Sequence, residues 1–207
     1  MAPTASVVVV DDDPSIRKSL TRVIESAGYA VEAFASAREF LETARATEPC
    51  CLVLDVRMPG VTGLDLQKTL AQAVHRIPVV FITGHGDVAM SVQAMKAGAV
   101  DFLTKPFAAN DLLDAIRRAV ERNTRDRGTE ARVRSVHARV ETLTARERQV
   151  FALVVTGMLN KQIAAQLGIV EKTVKVHRAR VMEKMQAGSV AELVRLADSV
   201  GVIVAKT

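Results

Sequence analysis

The sequence predicts two fold classes in one chain: a doubly wound parallel α/β sheet of (βα)5 form, then an all-α helix-turn-helix domain of four helices. Three observations predict it. Short apolar runs alternate five times with stretches of helical period between Val7 and Arg122, the habit of a parallel sheet covered on both faces. Four of those runs end on acids, a hydroxyl or an amine, where open α/β sheets put their chemistry. Beyond them, two helical stretches are joined by the tight turn Gly168-Ile169, in the most basic part of the chain.

The elements follow in order. Val7 to Val10 form a strand, with Asp11-Asp12-Asp13 at its carboxyl end. Pro14 opens a helix whose Ile16, Leu20, Val23, Ile24 and Ala27 share one face, and Gly28 ends it. Tyr29 to Phe34 make a second strand, with nothing polar of note at its end, as suits a sheet edge; Ala37 to Ala44 make a second helix. Leu52-Val53-Leu54-Asp55 is an unbroken apolar strand ending on an acid, after which Pro59 and Gly60 turn the chain. Leu64 to Ala73 are helical, Pro78 to Ile82 are a strand ending on Thr83, and Val88 to Ala97 are a helix stopped by Gly98. Ala99 to Leu103 are the fifth strand, ending on Thr104-Lys105-Pro106, and Asp111 to about Arg122 the fifth helix.

Arg122 to Glu141 is densely charged, with Val133, Val136 and Val140 at helical spacing. This predicts a helical extension broken near Gly128, then a charged connector. Thr144 and Glu147 are spaced as a capping box for a helix carrying Val150, Phe151, Leu153 and Val154, which ends near Gly157. Asn160 to Leu167, Glu171 to Met185 and Val190 to Val200 complete the second domain. The predicted organisation is residues 1–123, a linker over 124–140, and residues 141–207.

Charge separates the parts. Residues 1–124 hold 13 Lys+Arg against 15 Asp+Glu, a net −2; residues 125–207 hold 15 against 8, a net +7. The C-terminal third is therefore expected to meet a polyanion. No apolar run approaches a membrane span and no basic segment precedes Val7, so a cytoplasmic protein with no membrane partner is expected. Cys50 and Cys51 are the only cysteines and read as reduced thiols on a buried strand, with a redox switch as the alternative.

The strand ends bring together Asp11, Asp12 and Asp13, then Asp55, Thr83 and Lys105. Clustered acids repel and call for a cation, and Mg²⁺ suits a site offering a few carboxylates and room for water. A hydroxyl and an ammonium beside it suit a tetrahedral oxyanion, and Asp55 is the carboxylate placed to become an acyl phosphate. Each residue alone has a plainer reading: an acid after a strand commonly caps a helix, Thr83 could cap the helix starting near Asp87, and Lys105 could be a surface charge.

On the helix Glu171 to Met185, the residues Val174, Val181 and Met185 face the core. Opposite lie Lys172, Val176, Ala179 and Glu183, flanked by Lys175 and Arg180. As a recognition helix it would offer Lys172 and Lys175 to base edges or phosphates, and Val176 and Ala179 to thymine methyls. Arg178 lies nearer the core face and would reach phosphate by extending outward. A solvated helix face with scattered lysines is the plainer alternative.

Val10-Asp11-Asp12-Asp13, Asp55-Val56-Arg57-Met58-Pro59-Gly60, Thr83-Gly84-His85-Gly86 and Lys105-Pro106-Phe107 together resemble the receiver domain of two-component response regulators, whose fold is flavodoxin/CheY-like. Leu143 to Val150, Asn160 to Ala164 and Thr173 to His177 resemble the LuxR-type DNA-binding domain, so the whole is similar to the NarL/FixJ family. The resemblance implies that Asp55 accepts a phosphoryl group from a sensor histidine kinase. It implies Mg²⁺ on Asp12, Asp55 and the backbone carbonyl of Arg57, with Asp11 acting through a metal-bound water. Thr83 and Lys105 would contact phosphoryl oxygens, Phe102 would be the switch aromatic, and Lys105–Pro106 would be cis. His85 lies in the mobile loop, with loop polarity its plainer role. Lys161, Thr173 and His177 match positions that support or touch the DNA backbone.

The expected function is phosphorylation-gated transcriptional regulation, with activation as the expected sign, by a homodimer on double-stranded DNA and with RNA polymerase as a further partner. No enzyme is expected beyond self-catalysed phosphotransfer and autodephosphorylation. Two rivals remain: a Mg²⁺-dependent phosphohydrolase, which would need an acid/base group and a cap that the sequence does not offer, and a receiver that serves only as a constitutive dimerisation scaffold.

Overall fold

The computed structural model describes residues 5–43, 50–71, 77–84 and 88–201. Five strands, β1 (Ser6–Val10), β2 (Ala30–Phe34), β3 (Cys51–Asp55), β4 (Val79–Thr83) and β5 (Asp101–Thr104), form one sheet in the order β2-β1-β3-β4-β5, every pair parallel. Helices α1 (Pro14–Ser26), α2 (Ala37–Thr43), α3 (Gly63–Ala71), α4 (Val88–Lys96) and α5 (Ala109–Glu141) follow the strands in turn. Alternation along the central strands explains the double layer. Val8, Val10, Leu52, Leu54 and Phe81 pack on one face, while Val7, Val9, Cys51, Val53, Val80 and Ile82 pack on the other. β2 is an edge strand, as expected from its weak polar signal. Cys51 is buried and burial pushes its thiol pKa up, so it is held as a neutral thiol.

The strand order reverses direction between β1 and β3, and at such a switch point the carboxyl ends splay to leave a crevice. Asp11 follows β1 and Asp55 ends β3.

One expected feature is overturned: α5 is not broken near Gly128 but runs 33 residues from Ala109 to Glu141. Gly128 meets nothing within 4 Å where a Cβ would stand. Arg122–Asp126 at 3.7 Å and Glu130–Arg134 at 3.6 Å are i,i+4 pairs on either side of it. A glycine inside an exposed helix costs only about 1 kcal/mol against alanine, which good helix formers on both sides offset.

The chain divides into compact units at Asp126 and Arg127. In the second, α6 (Ala145–Val155), α7 (Asn160–Leu167), α8 (Glu171–Met185) and α9 (Val190–Ser199) enclose Val150, Phe151, Ile163, Val174, Val181, Met185 and Leu193, joined by Val136 of α5. The expected capping box forms: Glu147 N donates to Thr144 Oγ1 at 3.3 Å, and Thr144 N donates to Glu147 Oε2 at 2.9 Å. The Lys184 ammonium also donates to that oxygen at 2.7 Å, which with the Thr144 amide holds the Glu147 pKa down to about 2. Gly168 closes α7 with φ 64°, a left-handed conformation that turns the chain sharply into α8. The expected ends of the second and third helices, Ala44 and Ala73, lie outside the described residues.

Candidate functional site

The site begins with how each strand end holds its side chain. Asp11 and Asp55 are buried, 1% and 5% exposed, and so is Thr83 at 1%. Lys105, half-buried after β5, reaches between the two acids: its Nζ donates to Asp11 Oδ2 at 2.7 Å and to Asp55 Oδ1 at 3.0 Å. The other oxygens are also held. Asp13 N donates to Asp11 Oδ1 at 2.8 Å, and Arg57 N donates to Asp55 Oδ2 at 2.9 Å. Lys105 N donates to Thr83 O at 2.7 Å, which joins the ends of β4 and β5, and the Lys105–Pro106 bond is cis.

Burial pushes the Asp55 carboxyl above its ordinary range, the nearby Asp11 charge adds to that, and the Lys105 and Arg57 hydrogen bonds offset only part of it. Burial pulls the Lys105 ammonium down, but its bonds to Asp11 and Asp55 win and leave it raised and protonated.

The three consecutive acids take three different roles. Asp11 points into the site and Asp12 stands exposed beside it. Asp13 caps α1, accepting from Ser15 N at 2.7 Å and Ile16 N at 3.3 Å, which is the plain reading of an acid after a strand. Among the described residues no three His, Cys, Asp or Glu side chains group to hold a metal ion. Of the expected set of Asp12, Asp55 and the Arg57 carbonyl, with Asp11 acting through water, Asp11 and Asp55 are bridged by the Lys105 ammonium. Three acids against one ammonium still suit a hard cation that takes few carboxylates and keeps its water.

Phe102 on β5 is half-buried, its ring 6.3 Å from that of Phe81. His85 lies outside the described residues. Two contributors escaped sequence reasoning. Arg17 on α1 donates to the Asp11 carbonyl at 2.6 Å, tying α1 to the strand end. Gly63 starts α3 so close to Asp55 that a Cβ there would lie 2.3 Å from the Asp55 carbonyl oxygen. Its signal was a glycine opening a helix, a residue that packing rather than propensity puts there.

On α8, Lys172, Lys175, Val176, Ala179 and Arg180 are exposed, Val176 by 47%, and Val174, Val181 and Met185 are fully buried, as the helical wheel predicts. Lys175 pairs with Glu171 one turn away at 3.3 Å. Lys161 on α7 is exposed, and Thr173 is half-buried. Arg178 is half-buried and does not simply extend outward: its Nη1 donates to Asn160 Oδ1 at 3.0 Å, fixing α8 against the start of α7. His177 is half-buried, with Nδ1 buried and without a hydrogen-bond partner among the described residues. Exposed Leu159 and Val170 immediately precede α7 and α8.

Comparison with known proteins matches both units. Residues 7–117 match the response regulator receiver domain, and residues 141–197 match the bacterial regulatory proteins of the luxR family. Nodulation protein W of Bradyrhizobium diazoefficiens is 50% identical over 198 residues, 96% of this chain and 87% of that protein. The transcriptional regulatory protein FixJ of Azorhizobium caulinodans is 45% identical over 203 residues, 98% and 96% of the two chains. Among solved structures, the response regulator StyR matches with TM-score 0.83 and 47% identity, over 94% of this chain and 98% of that one.

Proposed function

The chain belongs to the NarL/FixJ-type DNA-binding response regulators of two-component systems, and from that premise we propose that Asp55 is the phosphoacceptor that gates DNA binding. An Asp55 carboxylate oxygen attacks the phosphorus of a sensor kinase's phosphohistidine. The P–N bond breaks, the imidazole leaves, and an acyl phosphate forms on Asp55. The supporting observation is the Lys105 ammonium, 3.0 Å from Asp55 Oδ1, where it would neutralise an incoming phosphoryl oxygen. The Thr83 hydroxyl donates to a second oxygen. Mg²⁺ on Asp12, Asp55 and the Arg57 carbonyl, with Asp11 acting through water, would supply the remaining positive charge.

Thr83 drawn toward the phosphoryl group frees space that Phe102 fills, altering the surface of α4 and β5. Val88, Val92 and Met95 on α4, 79%, 45% and 45% exposed, are the apolar surface through which we have two receivers pair. Pairing brings two copies of α8 to the half-sites of double-stranded DNA, where Lys172, Lys175, Val176 and Ala179 face the major groove. Lys161, Thr173 and His177 serve the backbone, and Arg178 acts there while held by Asn160. We assign residues 1–123 to the receiver, 124–140 to a helical linker and 141–207 to DNA binding. The regulator works in the cytoplasm and activates transcription by RNA polymerase.

The test is labelling of the full chain by a small acyl phosphate with Mg²⁺, followed by sedimentation. The parent should take up one phosphoryl group and pair, and Asp55→Asn should do neither. Labelling of Asp55→Asn at the parent rate would place the acceptor elsewhere; a labelled chain that stayed monomeric would end the pairing step.

A further inference from the structure

The helices of the second unit do not begin alike. Thr144 caps α6 and Ser189 caps α9, each side chain accepting a backbone N–H of the first turn, and Asp13 does the same for α1. The two helices of the helix-turn-helix begin instead at Leu159 and Val170, whose side chains make no cap hydrogen bond. Both are 68% exposed. Among the described residues, the other exposed large apolar side chain of this unit is Val176, on α8 itself. Valine and leucine are poor choices for a helix cap, and so exposed they gain little from packing in return. A local rule broken without a compensating gain marks a place with another use.

The use follows from where Val170 stands. The start of the second helix of a helix-turn-helix meets base edges, while the helix before it crosses the sugar–phosphate backbone. Glu171, the first residue of α8, pairs with Lys175 at 3.3 Å, and its carboxylate opposes a phosphate at this end. Exposed Lys172 and the net +7 of residues 125–207 still draw a duplex to the unit. In the major groove an apolar side chain finds one apolar partner on the base edges, the C5-methyl group of thymine.

We propose that Val170 is a specificity-determining residue that packs on a thymine methyl in each half-site. The inference rests on the DNA-binding reading above and adds a residue that precedes the face of α8 named there. Leu159 opens the helix that crosses the backbone, so it meets deoxyribose and reads no base.

The test uses a duplex that the full chain, with a small acyl phosphate and Mg²⁺, selects from a randomised pool. Deoxyuridine then replaces thymidine at one position after another, which removes the methyl and leaves the hydrogen-bonding groups of the base in place. In fluorescence titrations the parent should lose about three- to fivefold in affinity at the position that Val170 reads. Val170→Ser should bind the two duplexes equally at that position and keep the parent's dependence on every other methyl. Because serine caps α8, its midpoint of chemical denaturation should rise. Leu159→Ser should keep the parent's methyl dependence throughout. Methyl dependence in Val170→Ser equal to the parent's at every position would overturn the inference and leave the DNA-binding reading standing. So would loss of the same methyl dependence in Leu159→Ser, or a Val170→Ser that weakens all the duplexes alike. A chain that selects no duplex from the pool would overturn both.

Discussion

Asp55 is a carboxyl pushed up by burial and only partly pulled back by Lys105 and Arg57, and as the acceptor we propose it would have its reactive pH range set by that balance. Only the ionised acid is a nucleophile, so labelling should fall as pH drops through a value above the ordinary 3.8 of an aspartate. The sign for stability runs the other way. A carboxyl whose folded pKa is raised binds its proton more readily when folded, so ionised Asp55 costs stability at neutral pH and that cost fades in acid. Lys105→Met removes both the hydrogen bond and the charge that hold the carboxyl down. Its acid limb of labelling should move to higher pH, and its plateau rate should drop roughly 10²-fold with loss of the oxyanion partner. A pH–rate profile of parent and variant checks this, and an unmoved limb would show that Lys105 does not control the ionisation of Asp55.

Elements were legible where one signal dominated. The central strands β1, β3 and β4 are four- or five-residue apolar runs whose two faces are both buried, so composition alone marks them. The capping box at Thr144 was legible because its two partners lie three residues apart, and the acidic strand ends because topology gathers them at one rim. What could not be read locally depends on distant partners. Gly128 signalled a break, but whether a helix survives one glycine depends on the ion pairs and helix formers around it. The Arg178–Asn160 bond joins residues 18 positions apart, and the Lys184–Glu147 bond residues 37 apart, so neither has a local pattern. Gly63 is the clearest case, because its neighbour is the backbone of Asp55, the acceptor we propose. Gly63→Ala puts a methyl 2.3 Å from the Asp55 carbonyl oxygen, and backbone cannot rotate away as a side chain can. We expect a loss of about 1–3 kcal/mol in chemical denaturation, with labelling slowed because α3 or Asp55 must move. A variant matching the parent in both would show that the start of α3 does not position the acceptor.

Across the whole molecule the two units carry opposite charge, and only the second is suited to a polyanion. A net +7 over residues 125–207 attracts DNA of any sequence, while the net −2 of residues 1–124 contributes none of that pull. Sequence-independent affinity should therefore be carried by a few lysines and arginines of the second unit, each neutralised phosphate adding about 0.9 to the slope of log affinity against log salt. Lys172 and Lys175 are both exposed on α8 but are not equivalent. Lys175 is already paired with Glu171 at 3.3 Å and must exchange that partner for a phosphate, whereas Lys172 is exposed and makes no such pair among the described residues. Lys172→Ala should lower the salt slope of the full chain by about 1, and Lys175→Ala by less, in titrations of fluorescent DNA across salt concentrations. Losses limited to particular sequences, with the slope unchanged, would instead assign these side chains to base edges. If neither slope nor sequence preference changed, α8 would not be the element facing DNA, and the positive charge of the second unit would have to act through another surface.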